Sequence, residues 1–210
     1  EVPNQENLSI RTVSLNKSDI EHNGKGEPAS QVIAIFMIFP TEPGKVEIEP
    51  VSAKIKDKKI QSNKVNLHVK KLPEGSPADF KNAVGNFDIN VANKNAAETP
   101  ELEKPVNISL KISGVGNFGT LHLPKIVNSE NYISFPPKIT SKTSPQNDQL
   151  SGDIIADYVV IPKKTGAISV DFENFSFFDP SAKKYVDLGA KSVLLNVKTH
   201  EQIVDSKSTL

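Results

Sequence analysis

A repeated Pro-x-x-x-Gly signal constrains this 210-residue chain more than any other feature. Ile38-Phe39-Pro40-Thr41-Glu42-Pro43-Gly44 matches Ile161-Pro162-Lys163-Lys164-Thr165-Gly166, and each copy follows an apolar run. Each precedes a second β-rich run, Lys45–Ile48 and Ala167–Val170, and each ends in Val-x-Leu-x-Val-Lys, at Val65–Lys70 and Val193–Lys198. The step from the proline to that valine is 25 residues in the first copy and 31 in the second. Proline closes a strand because it has no N–H for the ladder, and glycine supplies the positive φ of a turn. The repeat therefore predicts a hairpin followed by a final strand that buries one face. Self-similarity over such a length marks a repeated structural unit.

The rest of the chain is written in the same style. Fifteen prolines and eleven glycines interrupt runs that alternate apolar and polar residues with period two. Val106–Ile112 alternates cleanly, and Gln31–Phe39, Gly44–Ile48, Ile154–Ile161, Ala167–Phe172 and Asn174–Phe178 read as further strands. No long stretch carries a helical stripe, although a helical turn fits Pro77–Ala83. The fold class predicted is all-β, with tandem immunoglobulin-like β-sandwich domains. The boundaries expected are 1–72 for the first domain, 73–78 for a Pro/Gly linker, 79–200 for the second domain and 201–210 for a poorly ordered polar tail. The first domain lacks counterparts of the strands that the second carries between Val84 and Leu123.

Composition excludes several function classes. Cysteine is absent, so disulfides, thiolate metal sites and cysteine nucleophiles are excluded. Twenty-five basic residues balance twenty-five acidic ones, and no basic block carries interleaved aromatics, which argues against nucleic acid. The densest basic run, Lys54–Lys59, reads as the solvated side of a strand and turn. The longest apolar run, Val32–Phe39, is far short of the roughly 18 residues of a membrane span. The start at Glu1-Val2-Pro3, with no Met and no signal peptide, points to a processed product or a piece of a longer chain. Tryptophan is absent and only three tyrosines occur, which disfavours sugar stacking.

Motifs that could carry chemistry read more simply as structure. Gly114-Val115-Gly116-Asn117-Phe118-Gly119 fits Gly-x-Gly-x-x-Gly, but Thr120–Pro124 follows as an extended stretch and no helix opens there. A dinucleotide site needs that helix, so the glycines read as a bend between strands. His22, His68, His122 and His200 have no ligand spacing, and His68 and His122 read as exposed strand positions. Asp148, Asp153, Asp157, Asp171, Glu173 and Asp179 could supply two acids across a sheet, but the spacing selects no pair. Loop carboxylates could also hold calcium, although surface solubility is the simpler role. No serine elbow or lysine-centred acylation motif is present. Phe172, Phe175, Phe177 and Phe178 read as core packing. No residue is assigned to catalysis, to a cofactor or to a metal, and the partner-binding residues stay unassigned.

Four segments in order carry a family resemblance. They are Val84-Gly85-Asn86-Phe87, then Ile112-Ser113-Gly114-Val115-Gly116-Asn117-Phe118 with Leu123-Pro124, then Val160–Gly166, then Phe177-Phe178-Asp179-Pro180 with Lys184-Tyr185. Together they resemble the BatD family of bacterial aerotolerance (oxygen-tolerance) proteins. The resemblance implies several immunoglobulin-like domains outside the cytoplasmic membrane, a signal and a later transmembrane helix. It also implies an envelope complex with von Willebrand A-type proteins, encoded beside a MoxR-type ATPase, and no catalytic activity. The expectation is thus a non-enzymatic ectodomain fragment that acts as a scaffold or adaptor, on the periplasmic face of the inner membrane, anchored by a segment outside this chain. A carboxylate such as Asp148, Asp153 or Asp179 could complete a partner's von Willebrand A metal site. The alternatives are a surface adhesin or ligand-binding module, and a hydrolase with an unrecognised carboxylate pair.

Overall fold

The structure, a computed structural model, describes residues 5–13, 20–22, 24–25, 28–31, 34–55, 57–146 and 149–208. It is mostly β, with several antiparallel sheets and, among the described residues, one short helix. The chain divides into two compact units, Glu1–Gly75 and Ser76–Leu210.

In the first unit β1 (Leu8–Val13), β2 (Ile20–His22), β3 (Pro28–Gln31) and β4 (Ile35–Pro40) are followed by β5 (Gly44–Ile48), β6 (Ser52–Ile55), β7 (Lys58–Gln61) and β8 (Val65–Val69). Residues 32 and 33 of the expected strand Gln31–Phe39 lie outside the described residues. The pairs are β1–β4, β2–β3, β5–β8 and β6–β7. Leu8, Val13 and Val46 are buried. The β8 strand does not bury the face expected of it, because Val65 is 46% exposed and Leu67 38%.

The second unit is built on a long central strand. It runs β9 (Gly85–Asn93), β10 (Val106–Gly116), β11 (Tyr132–Ser134), β12 (Lys138–Gln146), β13 (Gln149–Pro162), β14 (Gly166–Asp171), β15 (Ser176–Asp179), β16 (Lys184–Asp187), β17 (Ser192–Val197) and α1 (His200–Ser208). β13 pairs with β10 on one side, and with β11 and β12 on the other; β9 lies beyond β10. β14 pairs with β17, and β15 with β16. Alternate residues of these strands are buried, as period two requires: Ile108, Leu110 and Ile112 on β10, Ala156, Tyr158 and Val160 on β13, Val193, Leu195 and Val197 on β17. Phe172, Phe175 and Phe177 are buried with them. Edge-on ring contacts link these segments, Tyr158 to Phe172 at 5.6 Å and Phe87 to Phe177 at 5.8 Å.

The repeat is realised in both units, but not as a hairpin. β4 and β13 end on the repeat proline; β5 and β14 start on the repeat glycine, at φ 129° and 93°. β4 pairs with β1 and β5 with β8, just as β13 pairs with β11 and β14 with β17. A hairpin is closed to β13 because both of its edges are taken, so the turn carries the chain to a different sheet. The registers correspond: Gly44, Val46 and Ile48 face Val69, Leu67 and Val65, while Gly166, Ile168 and Val170 face Val197, Leu195 and Val193. An unexpected element belongs to the same repeat. Asn7 precedes buried Leu8, which faces Pro40; Asn131 precedes buried Tyr132, which faces Pro162. The Asn7 carbonyl accepts from Thr41 N–H at 3.0 Å, and the Asn131 carbonyl from Lys163 N–H at 2.8 Å.

The expected tail is helical instead. Thr199 Oγ1 accepts from Gln202 N–H at 3.3 Å, and Gln202 Oε1 accepts from Thr199 N–H at 3.0 Å. This reciprocal cap satisfies two donors that a helix start leaves open.

Candidate functional site

Three of the four segments that carry the family resemblance meet at one end of the second unit, whereas Val160–Gly166 lies at the other end of β13. Gly85 faces Gly116 and Phe87 faces Gly114 across β9–β10, and Gly114 faces Gly152 across β10–β13. The expected bend is absent: Gly114 and Gly116 are strand residues, and the turn follows at 118–120. The glycines have a different purpose. A Cβ on Gly114 would stand 2.1 Å from the Asn86 carbonyl oxygen, and one on Gly152 2.1 Å from that of Lys142. β9 passes β10, and β12 passes β13, too closely here for any side chain, and φ is 149° and 148° at these two glycines. The Phe87 ring lies over the gap, because a Cβ on Gly116 would meet its Cζ at 2.6 Å. An aromatic covering strand glycines recovers the packing that they forgo. Phe87 also meets Phe118 edge-on at 5.2 Å and Phe175 at 6.3 Å.

Asn117 locks the incoming chain onto this end. Its Oδ1 accepts from Val84 N–H at 2.7 Å, its Nδ2 donates to the Asn82 carbonyl at 2.6 Å, and its own N–H donates to the Val84 carbonyl at 3.0 Å. Phe178 N–H donates to the Ala83 carbonyl at 2.8 Å, which draws in the Phe-Asp-Pro segment. Asp179 Oδ1 accepts from Ser181 and Ala182 N–H at 2.8 and 3.0 Å, holding the turn between β15 and β16. Tyr185 stacks edge-on against Phe178 and Phe80, and Pro124 is fully buried. Each of these side chains or glycines is spent on backbone pairing, a turn or the core.

Each of the other candidate carboxylates among the described residues has a partner on at least one oxygen, and Asp157 Oδ1 is buried without one. Asp153 lies within β13, not on a loop, and pairs with Lys111 at 3.1 Å. Hydrogen bonds from Ser113 and Lys111 hold its pKa below the usual carboxylate value. Asp157 pairs with Lys94 at 3.1 Å. Asp171 accepts from Ser169 Oγ at 2.6 Å. Glu173 takes both the Lys81 ammonium and the Lys125 N–H. Burial would raise its pKa, but these donors outweigh burial and lower it. A general acid needs a raised pKa, and both displaced carboxylates move the other way. Asp148 lies outside the described residues.

His68 is an exposed β8 residue, whereas His122 is exposed on a loop and not on a strand. His200 starts the helix and lies 3.3 Å from Glu101, and the His22 side chain is outside the described part. Among the described residues no three His, Asp or Glu side chains are grouped to hold a metal. Two open clefts flank the end of β17. One, about 440 Å³, is lined by Thr165, Gly166, Asn196, Val197, Lys198 and Gln202; the other, about 360 Å³, lies between β17 and residues 93–100. Neither is lined by an aromatic residue or by two carboxylates. Among the described residues no helix is long and apolar enough to cross a membrane. An outward apolar cluster lies beside β11, where Ile133 is 42% exposed, Phe135 47% and Val159 36%.

Sequence reasoning missed Gly85 and Gly152 as partners of the Gly-x-Gly segment. The available signal was a glycine inside an alternating run, which marks close backbone approach. Comparisons with protein-family models, with curated proteins and with solved structures return no match.

Proposed function

We propose that the chain is a non-catalytic ectodomain of the BatD type, a scaffold or adaptor that binds partner proteins in a bacterial envelope complex. The observation that carries this reading is the destination of the motif residues. Gly114, Gly116, Asn117, Phe178 and Asp179 hold backbone and core together, and none of them lines either of the two clefts beside β17. A hydrolase or nucleotide site would aim its motif side chains at a substrate.

In this reading the second unit is an immunoglobulin-like sandwich and the first a related, shorter module. The Tyr132 hydroxyl supports this, because it donates to the Val127 carbonyl at 2.6 Å, five residues upstream. That contact resembles the tyrosine corner of such sandwiches. The location is the extracytoplasmic face of the inner membrane, with the anchor outside this chain, and the partners are von Willebrand A-type proteins. The outward cluster at Ile133, Phe135 and Val159 favours protein contact. The test is affinity purification of the full-length protein from solubilised membranes of the organism that encodes it. Co-purification of a von Willebrand A-type protein is expected; recovery of none counts against the proposal.

A further inference from the structure

We propose that the open edge of β14 binds an extended segment of another polypeptide, laid antiparallel to it, with acidic residues in the segment's C-terminal half. The proposal deepens the partner-binding reading and rests on it.

Alternation along β14 fixes which groups face outward. Phe172 N–H donates to the Lys191 carbonyl on the β17 side, whereas the Asp171 carbonyl accepts from Val127 N–H on the opposite side. Residues two apart in a strand point the same way. The N–H and C=O of Ala167 and Ser169 therefore face away from β17, and no described residue bonds to these backbone groups. Residues 125–127 already run antiparallel along the far end of this edge, through the Ile126–Phe172 bridge and the Glu173 N–H bond to the Lys125 carbonyl. The chain then leaves, and the ladder stops half-built.

The β12 edge of the same unit carries protection that β14 lacks. β12 has Lys138, Lys142 and Pro145, which discourage pairing. In the first unit the matching edge is closed by a side chain. Gln5 Nε2 donates to the Glu47 carbonyl at 2.8 Å, and Gln5 Oε1 accepts from Glu49 N–H at 3.3 Å. Counted from Gly44 and Gly166, the Glu47 carbonyl corresponds to that of Ser169. A primary amide is a peptide-group mimic, so the first unit displays the kind of donor and acceptor that the second leaves to a partner.

Charge sets the polarity and composition of the segment. An antiparallel addition that continues from Val127 ends beside Lys163 and Lys164, which are both exposed. Acidic side chains there meet two lysines. A second copy fits poorly, because its own residues 125–127 block all but the 167–169 exchange. An extended segment has no such obstruction, and main-chain bonds provide its affinity.

The test uses the 210-residue chain and the labelled peptide Thr-Val-Thr-Val-Thr-Asp-Asp-Glu, with a counterpart ending Lys-Lys-Arg. Binding is read by anisotropy, and amide exchange by NMR. Saturable binding of the acidic peptide is expected, with slowed exchange confined to the edge around Ala167 and Ser169. The basic peptide should bind about fivefold more weakly, the size expected for two exposed ion pairs. Ser169→Pro removes an outward N–H and should abolish binding; the double variant Lys163→Glu, Lys164→Glu keeps the edge and should reverse the preference. Protection of the Ala167 and Ser169 amides without peptide would overturn the proposal. So would absence of binding into the millimolar range, or unchanged binding by folded Ser169→Pro. Self-association lost in Ser169→Pro would assign the edge to a second copy and also overturn it. The peptide measurement needs no envelope partner, so its failure is separable from failure of the membrane purification.

Discussion

Gly114→Ala tests the close strand crossing directly. The added Cβ would stand 2.1 Å from the Asn86 carbonyl oxygen and 2.9 Å from the Phe87 Cα. Both atoms are backbone, so no side-chain rotation relieves the overlap. A residue with a Cβ at φ 149° also carries backbone strain of about 1–3 kcal/mol. Pushing β9 from β10 weakens ladder bonds, each worth about 1 kcal/mol net and more where a buried group loses its partner. The sum is about 3–5 kcal/mol, a large part of the roughly 5–15 kcal/mol that holds a domain together. For a unit of this size that lowers the melting temperature by about 10–20 °C. Gly189→Ala is the control, because its φ is 69° but no atom lies within 4 Å of the added Cβ; it should cost only about 1 kcal/mol. Calorimetry of the whole chain reads both variants. A Gly114→Ala transition indistinguishable from that of Gly189→Ala would refute the crossing as described.

Other outcomes follow from single side chains. Tyr132→Phe deletes the donor to the Val127 carbonyl and should cost about 1–2 kcal/mol by denaturant unfolding. Leu195→Ala should cost about 2–5 kcal/mol, whereas Leu194→Ala, at a side chain 73% exposed, should stay within about 0.5 kcal/mol. Glu173 has a folded pKa below its ordinary 4.5. Its stabilising contribution is therefore present above about pH 4.5 and lost as pH falls through the folded value. Glu173→Gln should flatten that part of an acid-unfolding curve, and an unchanged curve would remove the Lys81–Glu173 contact from the account.

The strands legible in the sequence are those that bury alternate residues. Val106–Ile112 and Val193–Lys198 carry their pattern in side chains, and the repeat proline and glycine mark strand ends in both units. What escaped was set by distant partners. Lys138–Gln146 is polar apart from Ile139 and Pro145 and forms β12 because β13 is long enough to offer it an edge. The Pro-x-x-x-Gly segment is compatible with a hairpin until β10, β11 and β12 occupy both edges of β13. The helix at His200 was legible in the Thr199-x-x-Gln202 cap, which polarity alone disguised as a tail. The candidate site was legible as a set of motifs, but not as one place. Gly85, Gly114, Gly116 and Gly152 are separated in sequence, and only strand register shows that their backbones share a crossing.

A scaffold or adaptor of the proposed kind binds a protein and transforms no substrate. The most direct test of that proposal is a calorimetric titration of the purified chain with a purified soluble von Willebrand A-type domain from the same organism. Saturable one-to-one binding by the folded chain is expected, retained in a variant that neutralises Asp153, Asp157 and Glu173. The absence of any heat of binding would contradict it.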